Sequence, residues 1–219
     1  MVLCKIKTLK TESAPKYPQN GRYGLGFMYN KFVKRFSDVA LSLMGIAALA
    51  PVFLLLFAAI KIDSPGPVFF RQKRVGARKS HFYMLKFRTM RLDTPKDTPT
   101  HLLENPGQYI TRAGRVLRRT SLDELPQIFN ILSGKMSIIG PRPALWNQYD
   151  LIEERDKYGA NDVRPGLTGW AQVNGRDELP IPVKARLDGE YVQNMGFALD
   201  CKCFFLTAVK VARSDGVDH

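Results

Sequence analysis

The sequence predicts an α/β protein, mostly helical with a small β-hairpin, in which an N-terminal membrane helix precedes a compact catalytic part. Two observations carry this. Val39 to Ile60 runs without a single charge, and at ~1.5 Å per residue a helix of that length reaches ~33 Å, about one hydrocarbon core. Beyond it, Val68 to Val75 and His81 to Thr89 read as two strands joined by Gly76-Ala77-Arg78-Lys79-Ser80, and helical patterns dominate the remainder of the chain. The expected organisation is a flexible basic lead-in over residues 1–29, a re-entrant membrane helix over 30–62 and a catalytic domain over 63–219.

The apolar segment is apolar on all sides, which argues against an ordinary amphipathic core helix. Ala48-Leu49-Ala50 resembles a signal-peptidase site. However, 38 residues precede the run and it continues well past those three, both contrary to a cleaved leader. Lys31, Lys34 and Arg35 lie before it, and Lys61, Arg71, Lys73 and Arg74 after it. Short basic flanks stay on the cytoplasmic side, so two basic flanks oppose a straight crossing. Pro51, just past the middle, removes a helical hydrogen bond and clashes with the preceding turn. Proline plus symmetric basic flanks predict a helix that dips into one leaflet and returns to the same face. Both termini are then on the cytoplasmic side.

The net charge of +13 over 219 residues calls for a polyanionic partner: nucleic acid, anionic lipid or a phosphate-rich substrate. Cys4, Cys201 and Cys203 are too few and too odd in number for a disulfide framework, and His81, His101 and His219 are scattered, so a structural zinc site is not expected. No Walker A sequence, no G-x-G-x-x-G after a strand, no G-x-S-x-G elbow and no D-x-D occurs.

Ser64-Pro65-Gly66-Pro67 closes the membrane segment as a turn. The hairpin carries Arg71, Lys73, Arg74, Lys86 and Arg88. Leu92 to Gly107 reads as a loop, and Tyr109 to Arg119 as a helix with Arg112, Arg115 and Arg119 on one face. That stripe is either a solvated face or an anion-binding one. Toward the C-terminus Cys201, Phe204, Phe205, Ala208 and Ala212 share a helical face, suited to a core or to a membrane interface.

The chemical centre is RRTSLDELPQ, Arg118 to Gln127. Ser121 with Glu124 fits a capping box, but Pro126 then falls beyond the first turn, where it is unfavourable. A helix starting nearer the pair Asp123-Glu124 removes that conflict and sets both carboxylates at a helix N-terminus, a field that favours their ionised forms and attracts phosphate. An ionised aspartate can attack phosphorus. Two acids facing a diphosphate need cations, and Mg2+ held by Asp123 together with the substrate's phosphates is the expected arrangement. Ser137 to Pro143 (SIIGPRP) holds Arg142 between prolines. Arg164 to Asp177 (RPGLTGWAQVNGRD) forms either a folded turn region or a phosphate and base pocket around Trp170.

Taken in order, KRFSD (34–38), the apolar run with Pro51, FFRQKRVG (69–76), LKFRTM (85–90), SLDELPQ (121–127), GPRP (140–143), VRPGLTGWAQVNGR (163–176) and LDGEYV (187–192) make the chain similar to the bacterial sugar transferase family, the monotopic phosphoglycosyltransferases acting on polyprenyl phosphate. The resemblance implies an inner-membrane enzyme at the cytoplasmic face with amphipathic helices in the interface. It implies that Asp123, partnered by Glu124, attacks the β-phosphate of a UDP-sugar, that UMP leaves, and that the phosphosugar-aspartyl enzyme is discharged onto undecaprenyl phosphate, with magnesium in support. Arg118 and Arg142 match arginines that bind substrate phosphate and nucleotide. Lys86, Arg88, Arg164, Gln172 and Arg176 join them as further candidates.

Ala50-Pro51 stands where some relatives have Ser-Pro, and the spanning helices that precede this domain in larger relatives are absent, so the chain reads as a minimal catalytic unit. Partners implied are the UDP-sugar, the polyprenyl phosphate and membrane lipid, with no nucleic acid; a homo-oligomer is possible. Two other activities compete: direct glycosyl transfer with release of UDP, and a non-enzymatic basic membrane or nucleic-acid-binding protein.

Overall fold

The computed structural model describes residues 29–94, 106–175 and 179–212. It is mostly helical, with two two-stranded sheets and one long apolar helix near the start. A short π-turn, Tyr29–Val33, leads into α1 (Lys34–Asp63). The helix carries through Pro51 and is long and apolar enough to cross a membrane. Leu54 and Leu55 are 73% and 71% exposed, so its outer side presents large aliphatic groups.

The inner side of α1 is polar at its base. Ser137 Oγ and the Ile138 N–H donate to Asp38 Oδ1 at 3.1 and 2.9 Å. Arg35 donates from Nη1 and Nη2 to the carbonyls of Ile131 and Leu132 at 2.6 and 2.7 Å. Lys34 pairs with Asp200, which also accepts from Tyr29 and from Tyr191. At the far end, Asp63 accepts the Ala113 N–H at 2.9 Å, and Ile60 packs with Val68, Phe87 and Leu117. Midway, Phe53 meets the rings of Phe87 and Phe129. Both ends of α1 are therefore fastened to the same body.

The predicted hairpin is present as β1 (Phe69–Val75) and β2 (His81–Phe87), antiparallel, with Phe69 opposite Phe87. The turn between α1 and β1 needs glycine at Gly66, where φ is +116° and a Cβ would lie 2.4 Å from Arg88 Nη1. The next helix, α2 (Arg112–Arg119), starts at Thr111, whose side chain accepts the Gly114 N–H at 2.9 Å. A Cβ on Gly114 would meet the Thr89 carbonyl at 2.1 Å, so this glycine lets α2 lie against the end of β2.

A 3₁₀ turn, Leu122–Glu124, carries the acidic pair and runs into α3 (Gln127–Leu132). Here the structure departs from the capping box: Ser121 is left-handed (φ 56°) and its side chain caps nothing. The helix instead begins after Pro126, whose fixed φ suits that position and whose missing N–H is no loss there. Asn130 on α3 acts as a short substitute strand. Its side-chain oxygen accepts the Leu85 N–H at 2.8 Å, and its Nδ2 donates to the Tyr83 carbonyl at 2.9 Å.

The turn-rich segment after Val163 is more regular than its glycines suggest. β3 (Ser137–Ile139) and β4 (Gly166–Thr168) pair in parallel, a second sheet that the sequence pattern does not reveal. The chain between them holds α4 (Tyr149–Asp156), and α5 (Trp170–Val173) follows β4 directly. Finally α6 (Ile181–Gln193) and α7 (Phe197–Ala212) complete the body. Arg155 on α4 and Asp188 on α6 form a buried ion pair at 2.6 Å. On α7 the apolar stripe faces outward: Phe204 and Phe205 are exposed, while Asp200 and Cys203 turn inward.

Candidate functional site

Two stretches distant in sequence converge on the acidic pair. Lys86 comes from β2, held in place by the hairpin register and by the Asn130 contacts to Tyr83 and Leu85. Arg142 comes from the loop after β3, which is laced to β1: the Val75 N–H donates to the Ala144 carbonyl at 3.0 Å, and Arg74 Nη1 to that of Pro143 at 3.0 Å. The dyad comes from the turn before α3. Lys86 Nζ donates to Glu124 Oε1 at 2.8 Å and lies 3.9 Å from Asp123 Oδ2. Arg142 Nη2 donates to the same Glu124 oxygen at 3.0 Å. Arg118, on the last turn of α2, donates from Nε to Thr89 Oγ1 at 3.0 Å and contributes positive charge toward Asp123.

This geometry separates two neighbouring carboxyls. Burial pushes Glu124 up, but Lys86 and Arg142 outweigh it and hold the group well below the usual carboxylate range. Burial raises Asp123 above its ordinary value. Lys86 and Arg118 pull it back, while the charge of Glu124 adds to the rise. The expectation that a helix end favours both ionised forms does not hold for Asp123, since Glu124 takes the hydrogen bonds of Lys86 and Arg142 while Lys86 stands 3.9 Å from Asp123 and burial prevails there. Burial also pushes Arg118 down, an effect Asp123 partly offsets.

Asp123 therefore holds only a longer ion pair, 3.9 Å from Lys86 Nζ, beside a Glu124 that accepts two hydrogen bonds. A hard oxygen donor of this kind, together with phosphate oxygens from a substrate, suits Mg2+. Among the described residues no group of three or more His, Cys, Asp or Glu is placed to hold a metal ion.

The remaining candidates divide. Arg88 is 5% exposed, and its guanidinium donates to the Pro65 carbonyl at 2.7 Å and to the carbonyl and hydroxyl of Ser64 at 2.7 and 2.8 Å, so it clasps the turn after α1. Arg164 directly precedes the Pro165-Gly166 step against Gly140, next to the Arg142 loop. Gln172 donates to the Leu167 carbonyl at 3.1 Å, bracing its own turn. Trp170 is half-buried against Tyr191 and Cys203 with Lys202 over its ring, a packed position rather than an open stacking platform. Arg176 lies outside the described residues. Asn130, Thr89 and Arg35 also position the site; Arg35 and Thr89 lie within the KRFSD and LKFRTM stretches, which mark no role of their own for them, and Asn130 lies in none of the motifs. For Asn130 the available signal is a single amide inside the apolar stretch IFNIL, residues 128–132.

The model of the bacterial sugar transferase family matches residues 29–214. The chain belongs to the bacterial sugar transferase family. It is 42% identical over 191 residues to the UDP-glucose:undecaprenyl-phosphate glucose-1-phosphate transferase of Xanthomonas campestris pv. campestris, covering 83% of this chain and 40% of that protein. It is 37% identical over 187 residues to the uncharacterized sugar transferase EpsL of Bacillus subtilis (strain 168), covering 85% and 91%. With the exopolysaccharide production protein ExoY of Sinorhizobium fredii it shares 34% over 197 residues, covering 84% and 87%. The chain thus spans under half of the length of the first of these relatives and nearly the whole of the other two.

Proposed function

We propose that this bacterial sugar transferase moves a sugar 1-phosphate from a UDP-sugar to polyprenyl phosphate through a covalent enzyme intermediate. The observation that carries the reading is the asymmetry of the dyad, a Glu124 hydrogen-bonded by two cations beside an Asp123 that has only the longer 3.9 Å pairing with Lys86. An Asp123 oxygen forms a bond to the β-phosphorus as the bond from that phosphorus to the bridging oxygen breaks, so UMP departs with the bond's electron pair. An oxygen of the lipid phosphate then displaces the Asp123 carboxylate, giving the polyprenyl-diphosphate sugar. Glu124 fixes Lys86 and Arg142 beside the reacting phosphate, where their charge matters most as negative charge shifts to the leaving UMP. Arg118 supplies a further cation. Mg2+, held by Asp123 and the diphosphate, would neutralise charge on the substrate.

The anchoring of α1 supports placement at one face of a bilayer. A straight crossing would put Asp38 and Asp63 on opposite sides of the membrane, yet each is bonded to one polar body, through Ser137 and Ala113. A dip into a single leaflet leaves both contacts intact. The exposed Phe204 and Phe205 of α7 suit the interfacial zone of the same leaflet. The proposed location is the cytoplasmic face of the inner membrane.

The test is to quench the enzyme during turnover with a panel of UDP-sugars and weigh the peptide containing residue 123. A gain of one phosphosugar, absent in Asp123→Asn, is expected, with UMP as the nucleotide product. Release of UDP with no labelled peptide would instead establish direct glycosyl transfer.

A further inference from the structure

The dyad does not account for the outer face of α2. Arg112, Arg115 and Arg119 all point to solvent along one side of this eight-residue helix, and none is paired with an acid among the described residues. Val116, 61% exposed, shares that side. Three exposed arginines around an apolar side chain form a surface that is cationic at its tips and aliphatic along its stems.

The position of this surface is fixed by two contacts. Asp63, the last residue of α1, accepts the Ala113 N–H at 2.9 Å. Leu117, on the opposite side of α2 from the arginines, packs on Ile60 one turn earlier in α1. The arginine face is thus attached where the apolar helix ends. If α1 dips into a leaflet, that point is the headgroup layer, and guanidinium groups there meet phosphodiesters while the stems and Val116 reach the acyl boundary.

We propose that the Arg112–Arg115–Arg119 face of α2 docks on anionic phospholipid headgroups, holding the catalytic body, with α1 fastened to it, against the bilayer surface; this rests on the one-leaflet placement proposed for α1. The partner is the lipid surface rather than free phosphate, because only a surface presents anions at several points along a helix while also accommodating the exposed valine.

The experiment offers the purified full chain two vesicle populations at once, one of phosphatidylcholine and one of phosphatidylcholine with a third of phosphatidylglycerol, and measures the distribution after flotation. The wild type is expected to prefer the anionic vesicles, with the preference falling as salt rises and unaffected by millimolar inorganic phosphate. Arg112→Gln/Arg115→Gln/Arg119→Gln is expected to lose roughly fivefold of that preference per arginine, while lysine at the same three positions restores most of it. A control with Arg78→Gln/Lys79→Gln/Lys157→Gln, on the hairpin turn and at the end of α4, keeps the wild-type preference. Insertion of the wild type into both populations equally, or an equal loss in the control, overturns the proposal. Failure of the wild type to enter either population overturns the one-leaflet reading itself, and this inference with it.

Discussion

Lys86 Nζ lies 2.8 Å from Glu124 and 3.9 Å from Asp123, so a single ammonium group is shared unequally by two adjacent acids. It lowers both carboxyls, and for each it is the largest influence opposing burial. Lys86→Met removes that influence, so both acids hold their protons to higher pH. The rise of kcat/KM with pH is expected to move to higher pH, and the plateau rate to fall by about a hundredfold, the order seen when one preorganised charge donor is removed. A pH–rate profile checks this; a lower plateau with an unmoved acid limb would separate Lys86 from the ionisation of the dyad.

Asn130 joins α3 to the open edge of β2 by two hydrogen bonds from one amide. Asn130→Leu leaves the Leu85 N–H and the Tyr83 carbonyl without these partners, and should destabilise the protein by about 3 kcal/mol. Asn130→Asp keeps the acceptor for Leu85 but faces the Tyr83 carbonyl with an oxygen, and is expected to be no milder. Thermal or denaturant unfolding of the detergent-solubilised protein measures both.

The buried pair of Arg155 and Asp188 gives a pH-dependent prediction. Burial already raises Asp188, against the pull of Arg155. Arg155→Met removes the main opposing influence and leaves burial opposed by Lys184 alone, so the folded state binds the Asp188 proton still more tightly than the unfolded chain does. Stability from such a group is present at low pH and lost as pH rises through the folded-state pKa. The variant should therefore be about 3–5 kcal/mol less stable at neutral pH and recover toward the wild type as the medium is acidified. Arg155→Met/Asp188→Leu should be more stable at neutral pH than the single variant. Equal losses at neutral and mildly acidic pH would contradict the assignment.

Cys203 is fully buried, and its thiol is pushed up to about 11, by burial first and then by Asp200. Alkylation at mildly alkaline pH should leave Cys203 unmodified until denaturant is added, as peptide mass mapping will show. Rapid modification of the native protein would mean that α7 lifts off the body.

Single cysteines at Phe36 and Ile62, both exposed beside the two ends of α1, test the proposed topology in a background lacking the native cysteines. Both should react with a membrane-impermeant reagent only after the cytoplasmic face is opened. Labelling of one from outside intact spheroplasts would establish a spanning helix.

Much of this molecule is legible in the chain because its signals are local. The apolar run, the hairpin strands and the adjacent acids each declare themselves within a few residues, and β1 and β2 fall within two residues of their expected bounds. The features that sequence does not show depend on pairing over distance. β3 and β4 are three residues each, too short for alternation to register, and they pair across a long excursion through α4. Ser121 has the spacing of a cap to Glu124, yet Pro126 moves the helix start past the dyad. Arg88 and Lys86 sit two residues apart with the same charge, and only the fold separates a residue that clasps Ser64 and Pro65 from one that meets Glu124.

The fastening of α1 at both ends has a kinetic consequence. With Arg35 and Asp38 bonded at one end and Asp63 at the other, no linker remains about which the catalytic body can swing. On the one-leaflet reading the height of Asp123 above the acyl chains is then constant, and a long-chain acceptor must arrive by sliding sideways through the leaflet. Turnover in this geometry responds to the acceptor's density per unit area, so diluting it with inert lipid slows the enzyme even when its concentration in the tube is unchanged.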